Sequence, residues 1–343
     1  MRRTVCLTAL LALACSAPAA AATPLDGDAM WVWIVSRSQG GDPDRMAAKA
    51  ARHNVKTVIV KAADGRTRFT QFSSTLVARL KAHGLRVCAY QRVHGIRPRT
   101  EAERLAEAAR KGADCLVIDA ESELNGRYAQ AQAYMTRLRA RVGPDFPLAL
   151  TSFPYVNYHP RFPYSVFLGP GGAQQNMPQM YWKTIGVSVD RIFTVAYTQN
   201  RVYERPIYPL GQVYLNPRSA EVRRFRRLAQ AYGAPGVSWW VWEHAGRRQW
   251  TALGSAFEPI GFPRIATGYP VLKPGYRSDQ VIWAQQHLKT LGLLTKVSGR
   301  FGSGTLNAVR ALRLQNGLPA TGRIDSAVWP LLLAVEPAPV RWR

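Results

Sequence analysis

The chain has 343 residues, of which 47% are hydrophobic and 20% are charged, a balance that indicates a globular protein and excludes a disordered one. Lysine and arginine number 46 against 21 aspartates and glutamates, so the formal net charge is +25 and polyanions are the expected partners. The sequence carries no recognisable nucleic-acid-binding motif, so we expect no nucleic acid among them.

The first 22 residues have the pattern of a secretory signal peptide. Arg2 and Arg3 form a basic start, 5–14 an apolar core, and 20–22 a small-residue cleavage site. The apolar core has about ten residues, whereas a membrane-spanning helix needs about 20, so we expect no transmembrane segment here or later in the chain. The mature protein is therefore expected to start at Thr23 and to be secreted or periplasmic.

The cysteines leave two questions open. Acylation of Cys15, which follows the apolar core, would make the protein a lipoprotein, and this is the less favoured alternative. Cys88 and Cys115 each lie in an apolar run, which favours buried free thiols over a disulfide between them. No spacing typical of a zinc site occurs, so we expect neither a metal nor another cofactor.

From Met30 onward, short apolar runs alternate with segments of helical period, as in a parallel sheet built from βαβ units. The runs are 31–36, 57–61, 86–91, 114–121, 148–153, 176–182, 207–214 and 236–243. Such a series predicts an α/β fold, a (β/α)8 TIM-like barrel over 23–257. An open, doubly wound sheet is the competing prediction, but the glycine-rich phosphate turn of that fold is missing after the first run.

In a barrel of this kind the active site lies at the carboxyl ends of the strands, so polar residues that close the runs are candidates. They are Ser36, Asp64, Gln91, Asp119, Glu121, Ser152, Tyr181, Gln212 and Glu243. Asp119 and Glu121 are two positions apart on the fourth run and must face the same side of a strand. Crowding raises the pKa of one of the two, which suits it to act as an acid near neutral pH.

This Asp-x-Glu at the end of the fourth strand resembles that of glycoside hydrolase families 18, the chitinases, and 25, the lysozymes. The resemblance implies that Glu121 is the general acid and Asp119 its partner. A short motif leaves another interpretation open, in which both carboxylates cap the strand and bind arginines.

Two further segments resemble family 18. Gln179 to Trp182 is similar to a strand whose Tyr holds the acetamido group of the substrate, which assigns that role to Tyr181, and the tryptophans of the eighth run resemble that family's sugar-stacking Trp. Trp239 and Trp240 are adjacent on a strand, so at least one of them is expected to pack outside the barrel. The residues predicted to bind substrate are Asp64, Gln91, Gln179, Gln212, Trp240, Trp242 and Glu243.

The barrel also departs from both families. Family 18 has further Asp residues before its Asp-x-Glu, where this chain has 116–118, and family 25 has an Asp on the first strand, where this chain has 31–36. We therefore assign the barrel to no family and expect it to be glycosidase-like. The expected activity is like that of a muramidase, a glucosaminidase or a chitinase. A second carboxylate would come from Asp64 or Glu243, whereas a substrate-assisted route would need only Glu121, Asp119 and Tyr181.

A proline-rich segment, 258–268, predicts a linker, and 269–335 a small all-α domain followed by a tail, 336–343. Within this domain, 272–275, 299–302 and 315–318 contain a Lys-Pro-Gly turn, a Gly-x-Phe-Gly element and a Gln-x-Gly-Leu element. Together with apolar residues at helical spacing, these resemble the peptidoglycan-binding domain of the three-helix type. The resemblance implies peptidoglycan or a related cell-wall glycan as the partner.

Together the two parts predict a secreted glycan hydrolase that acts on N-acetylated peptidoglycan and is held on its polymer by the C-terminal domain. The competing hypothesis is a non-catalytic glycan-binding protein whose barrel has lost its activity.

Overall fold

The computed structural model describes residues 22–256, 259 and 265–343. The predicted signal peptide, Cys15 included, lies outside the described residues except for its last position, and so does most of the predicted linker. Among the described helices, none has both the length and the apolar character needed to span a bilayer.

Eight parallel strands form a barrel that is nearly closed. The parallel strands are β1 (Gly27–Val32), β2 (Val55–Asp64), β4 (Arg86–Val93), β5 (Cys115–Ala120), β6 (Leu148–Ser152), β7 (Gln175–Pro178), β8 (Leu210–Gln212) and β9 (Gly236–Trp240), and a two-residue strand, β3 (Thr67–Arg68), pairs antiparallel with β2. Neighbouring barrel strands pair from β1 to β7 and from β8 to β9, β9 pairs with β1, and single parallel bridges join the region of β7 to that of β8. The predicted fold class is confirmed.

Helices follow the strands and cover the barrel. They are α1 (Pro43–Arg52), α2 (Ser74–Ala82), α3 (Pro98–Arg110), α4 (Tyr128–Val142), α5 (Tyr164–Phe167), α6 (Trp182–Ile185), α7 (Val189–Asn200), α8 (Ser219–Ala231) and α9 (Arg247–Gly254). Local sequence sets several of their starts: Asp42, Ser73 and Ser188 accept hydrogen bonds from the first turns of α1, α2 and α7. The C-terminal region adds α10 (Asp279–Thr290), α11 (Ser303–Gln315) and α12 (Trp329–Leu333).

The strands alternate between two cores. On β5, Cys115 and Val117 belong to the core inside the barrel, while Leu116, Ile118 and Ala120 belong to the core between the strands and the helices. Because successive side chains of a strand point to opposite faces, Asp119 continues the inward series at the carboxyl end of the strand. We call this end of the barrel its mouth.

A disulfide joins Cys88 on β4 to Cys115 on β5, so the prediction of free thiols was wrong. The two residues lie directly opposite each other in the register of the parallel pair, with their Cα atoms 4.6 Å apart, which is within the range that a disulfide spans. Both residues belong to the inner core. The register of the two strands brings the thiols together. The composition of the two apolar runs does not reveal that register.

The first helix of the C-terminal region, α10, packs directly on the barrel domain. Asp279, the first residue of α10, is fully buried; its carboxylate accepts hydrogen bonds from the Ser165 amide at 2.9 Å, the Ser165 hydroxyl at 2.6 Å and the Tyr203 hydroxyl at 2.8 Å. The Trp283 indole donates to the carbonyl of Val202 at 2.6 Å. These contacts fix α10 against α5 and the segment after α7.

The last residues of the chain return to α4. The Trp342 ring packs on Tyr128 with 4.5 Å between the ring centroids, and the Gln132 side chain bonds to the Val340 carbonyl and the Trp342 amide. The predicted tail therefore covers part of the boundary between the barrel and the C-terminal helices.

Candidate active site

A small pocket opens at the barrel mouth, among inward-facing residues from several strands. Its volume is about 160 Å³, and it is lined by Trp31, Asp119, Glu121, Thr151, Gln179, Tyr181, Leu210 and Trp240. Binding sites for whole ligands usually measure about 300 to 1,000 Å³. This pocket is therefore sized for one substituent of a larger molecule, and the rest of that molecule would lie outside it.

Gln179 fixes the carboxylate pair. Its side-chain amide donates to Asp119 Oδ1 at 3.2 Å and to Glu121 Oε1 at 3.0 Å, so one NH2 group holds the two carboxyl groups side by side. Burial, together with the neighbouring charge of Glu121, raises the pKa of Asp119 to about 8, although Arg92 and Lys61 act in the opposite direction. At neutral pH Asp119 therefore carries a proton.

Arg92 on β4 is the cation of this site. Its guanidinium contacts the Glu121 carboxylate, lies 3.7 Å from Asp119 Oδ1, and donates to both oxygens of Glu123 at 2.7 and 2.9 Å. A positive charge in this position pairs with the carboxylates around it. It opposes, without overcoming, the rise in the pKa of Asp119 that burial causes.

Asp64 joins the same network from the other side. Burial opposes its ionisation, but hydrogen bonds from Lys61 Nζ at 2.6 Å and His94 Nε2 at 2.7 Å hold its pKa below the ordinary value. His94 Nδ1 is in turn 3.8 Å from Glu123, the second partner of Arg92. A chain of close polar contacts therefore runs from Asp64 through His94, Glu123 and Arg92 to the carboxylate pair.

Aromatic rings form the opposite wall of the pocket. The Trp240 ring lies 5.5 Å from that of Trp31 and 5.9 Å from that of Tyr90, in both cases edge to face. Tyr181 packs edge to face on Tyr214, and burial with the nearby Asp119 charge raises its pKa well above the ordinary value. The Tyr181 hydroxyl is therefore protonated and able to donate a hydrogen bond over the whole neutral range.

Gln179 and Trp240 line the pocket, whereas the other five predicted substrate-binding residues do not, and three of those five are engaged in contacts elsewhere. Gln91 is fully buried on the outer side of β4, where its amide donates to the carbonyls of Gly65 and Glu101 and accepts from Tyr134. Because Cys88 and Tyr90 face inward, strand alternation turns Gln91 toward the helices.

The other two are occupied by structural contacts. The Gln212 side chain accepts from the backbone amide of Lys183 at 2.9 Å, at the start of α6. Trp242 packs against Trp250 of α9, with 4.8 Å between centroids. The expectation for the adjacent tryptophans is met: Trp239 packs outside the barrel on Phe225, and Trp240 lines the pocket.

Glu243 lies beside the segment that follows β1. Its carboxylate accepts from the backbone amide of Ile34, just after β1, and burial raises its pKa. It does not line the pocket of the Asp119–Glu121 pair. Among the described residues, no cluster of three or more His, Cys, Asp or Glu side chains is arranged to hold a metal ion.

Sequence reasoning missed Arg92, Trp31 and Thr151. Each has the inward parity of its strand: Arg92 follows Cys88 and Tyr90, Trp31 follows Ala29, and Thr151 follows Ala149. Counting parity from the inward cysteines, instead of choosing the last polar residue of a run, would have found Arg92 and excluded Gln91.

Comparison with known proteins gives different matches for the C-terminal region and for the barrel. Residues 277–332 match the model of the family PG_binding_1, described as "Putative peptidoglycan binding domain". No curated protein matches the chain. Because the matched segment is a small share of the chain, it describes the C-terminal region only.

The barrel is similar in fold to two chitinases of solved structure. A class V chitinase from Pseudomonas fluorescens Pf-5 has 10% sequence identity and a TM-score of 0.51, over 66% of this chain and 98% of that one. A chitinase from Chromobacterium violaceum ATCC 12472 has 11% identity and a TM-score of 0.50, over the same shares, 66% and 98%. At these identities the likeness concerns the fold alone.

Proposed function

We propose that this protein is an exported glycan hydrolase that cleaves N-acetylated peptidoglycan or a related cell-wall glycan. The observation that carries the proposal is the buried, proton-sharing Asp119–Glu121 pair in an aromatic pocket at the barrel mouth. Glycoside hydrolases usually act through two carboxyl groups whose pKa values differ.

The small pocket suits the acetamido group of an N-acetylated sugar. Tyr181 offers a hydroxyl and Gln179 an amide to such a group, and Trp31 and Trp240 offer apolar ring surface to its methyl group. This arrangement favours a substrate-assisted route over one with a distant second carboxylate, because Asp64 and Glu243 lie outside the pocket.

In this route the acetamido oxygen attacks the anomeric carbon while the bond to the leaving oxygen breaks. Glu121, the more exposed member of the pair, delivers the proton to the leaving oxygen. That proton comes from Asp119, and its transfer to Glu121 requires the Glu121–Arg92 contact to loosen when substrate binds. Asp119, now ionised, stabilises the positive charge on the cyclised acetamido group until water attacks the anomeric carbon, releases the sugar and returns a proton to the pair.

The C-terminal region would hold the enzyme on its polymer. The family match at 277–332 supports binding to peptidoglycan, and attachment raises the local concentration of cleavable bonds. The net charge of +25 adds attraction to anionic wall polymers. Export is supported by the Cys88–Cys115 disulfide, since such bonds persist mainly in oxidising compartments.

One observation favours a second candidate function, a glycan-binding protein without hydrolytic activity. The proposed acid, Glu121, is already engaged in an ion pair with Arg92 in the free protein. If substrate does not loosen this contact, the site binds an acetamido group and performs no chemistry.

Substitution at the pair tests the proposal. Glu121→Gln keeps the shape of the side chain but cannot deliver a proton, so we expect the release of reducing ends from purified glycan strands to fall by about 10² to 10⁴. The matched control is Glu123→Gln, which removes a carboxylate from the same Arg92 at a position outside the pocket. A rate that is equally low in the control would remove Glu121 from the role of acid.

A further inference from the structure

A second cavity lies on the boundary between the barrel and the C-terminal helices. Its volume is about 580 Å³, within the usual range for a ligand site. Its wall includes three arginines: Arg161 from the barrel, and Arg277 and Arg300 from the region that matches the peptidoglycan-binding family. The aromatic pair Tyr128 and Trp342 completes it.

The wall of this cavity is positively charged. No carboxylate lines it, and among the ion pairs of the described residues none involves Arg161, Arg277 or Arg300. Arg277 and Arg300 are moreover directly opposite each other on a short antiparallel bridge, an arrangement that like charges disfavour. A bound anion would offset this repulsion.

The cavity is on the same side of the molecule as the barrel mouth. Gly126, in its wall, belongs to the loop that follows β5, the strand of the carboxylate pair, and Arg161 belongs to the loop that follows β6. Loops that follow parallel strands meet at the mouth of a barrel. An extended polymer bound at the pair would therefore run across the face of the barrel that carries the cavity.

We propose that this cavity is a composite site for the carboxylate groups of the peptide stems of peptidoglycan, formed jointly by Arg161 of the barrel and by Arg277 and Arg300 of the C-terminal region. Guanidinium groups bind carboxylates in bidentate fashion, and the Tyr128–Trp342 pair offers apolar surface to the peptide. As a statement about the substrate, the inference rests on the proposed function: it assigns to the enzyme a peptide-bearing glycan, in preference to an unsubstituted one.

The test is a sedimentation assay with the full chain carrying Glu121→Gln, so that cleavage does not consume the polymer. The probe is purified sacculi freed of phosphate polymers, either with their carboxylates intact or with the carboxylates converted to amides. Purified teichoic acid serves as a competitor, because phosphate groups could also bind arginines. The matched control for charge is Arg110→Gln, Arg247→Gln and Arg310→Gln, three exposed arginines outside the cavity.

We expect Arg161→Gln, Arg277→Gln and Arg300→Gln together to weaken binding to intact sacculi by about tenfold or more relative to the control variant, and Arg161→Gln alone by several-fold. On amidated sacculi the two triple variants should bind equally. The proposal is overturned if the cavity variant binds intact sacculi as well as the control does, if Arg161→Gln alone has no effect, or if teichoic acid competes while amidation changes nothing. A melting temperature equal to that of the control excludes misfolding as the cause of weaker binding.

The result is independent of catalysis. Weakened binding of the cavity variant in a protein that never cleaves glycan would sustain the composite site and contradict the hydrolase. If the wild type cleaves glycan and the cavity variant binds normally, the hydrolase is supported and the composite site is contradicted.

Discussion

Arg92 is the residue that most changes the interpretation of the site. The Asp-x-Glu motif by itself assigns the acid role to Glu121, but the structure places the Arg92 guanidinium against Glu121, and burial raises the pKa of the neighbouring Asp119 to about 8. In the proposed mechanism, catalysis would depend on a proton transfer inside the pair. The pH dependence of the reaction should reveal this arrangement.

We expect the rate of hydrolysis to fall as the pH rises through about 8, because burial and the charge of Glu121 raise the pKa of Asp119 to that value and the pair loses its only proton there. Arg92 lowers this pKa, so Arg92→Gln should move the fall in rate to a higher pH. A pH profile of kcat/KM for both proteins checks this. A fall in wild-type rate already near pH 5, or a shift to lower pH in the variant, would contradict the assignment.

Tyr181→Phe separates the two hydrolytic routes. If the hydroxyl orients the acetamido group as it attacks, its loss should lower kcat by far more than it raises KM. If water or a protein carboxylate is the nucleophile, the loss should cost no more than one ordinary hydrogen bond, about 0.5 to 1.5 kcal/mol. Steady-state kinetics on a soluble N-acetylated oligosaccharide give the answer, with Tyr214→Phe, which neighbours Tyr181 outside the pocket, as the control.

At the scale of elements, the apolar runs predicted all eight barrel strands, because each buried strand of a parallel sheet reads as a short continuous run. The side of the strand on which each side chain lies was less well predicted. Asp119 and Glu121 were placed correctly from their spacing, whereas Gln91 was chosen for its position at the end of a run although its parity turns it outward. Gln212 and Trp242 lie outside the pocket for a different reason: neighbouring backbone and helix contacts engage them, and these contacts depend on tertiary packing.

The disulfide between β4 and β5 gives a test of the inner core. It closes a segment of 27 residues, for which loop-closure entropy gives about 3.5 kcal/mol of stabilisation. We expect the double variant Cys88→Ala and Cys115→Ala to lose about that much free energy of unfolding in a urea titration. A reducing agent should lower the stability of the wild type and leave the double variant unchanged. Equal sensitivity of both proteins to reduction would show that the bond does not form.

At the scale of the whole molecule, the sequence predicted a C-terminal domain attached by a linker, and its boundaries, 23–257, 258–268 and 269–335, stay predictions. The resemblance gave no sign that α10 is packed on the barrel. Asp279 looks like an ordinary acidic residue in a first helical turn, and only tertiary structure brings Ser165 and Tyr203 to its carboxylate. The composite cavity depends on the same packing.

Asp279→Ala should loosen this packing. It leaves the amide and hydroxyl of Ser165 and the hydroxyl of Tyr203 without their acceptor, so we expect a loss of about 3 kcal/mol in the free energy of unfolding. The control is Asp145→Ala, an exposed carboxylate. Urea titration with limited proteolysis checks both variants, and equal stability of the two would contradict a structural role for α10 docking.

The same residue predicts a pH effect. Burial raises the pKa of Asp279 to about 6, above its value in the unfolded chain, so the unfolded state releases the proton first as the pH rises. The contribution of Asp279 to stability therefore falls between about pH 4 and pH 6. Asp279→Asn, which does not titrate, should show a flatter pH dependence over that interval, and an unchanged slope would contradict the shift.

Incubation of the full chain with intact sacculi, followed by mass spectrometry of the soluble products, tests the central claim most directly. The account predicts muropeptides with new reducing ends at an N-acetylated sugar, formed by the wild type and not by Glu121→Gln. Sacculi that sediment with bound protein and yield no new reducing ends would contradict the hydrolase and identify a glycan-binding protein.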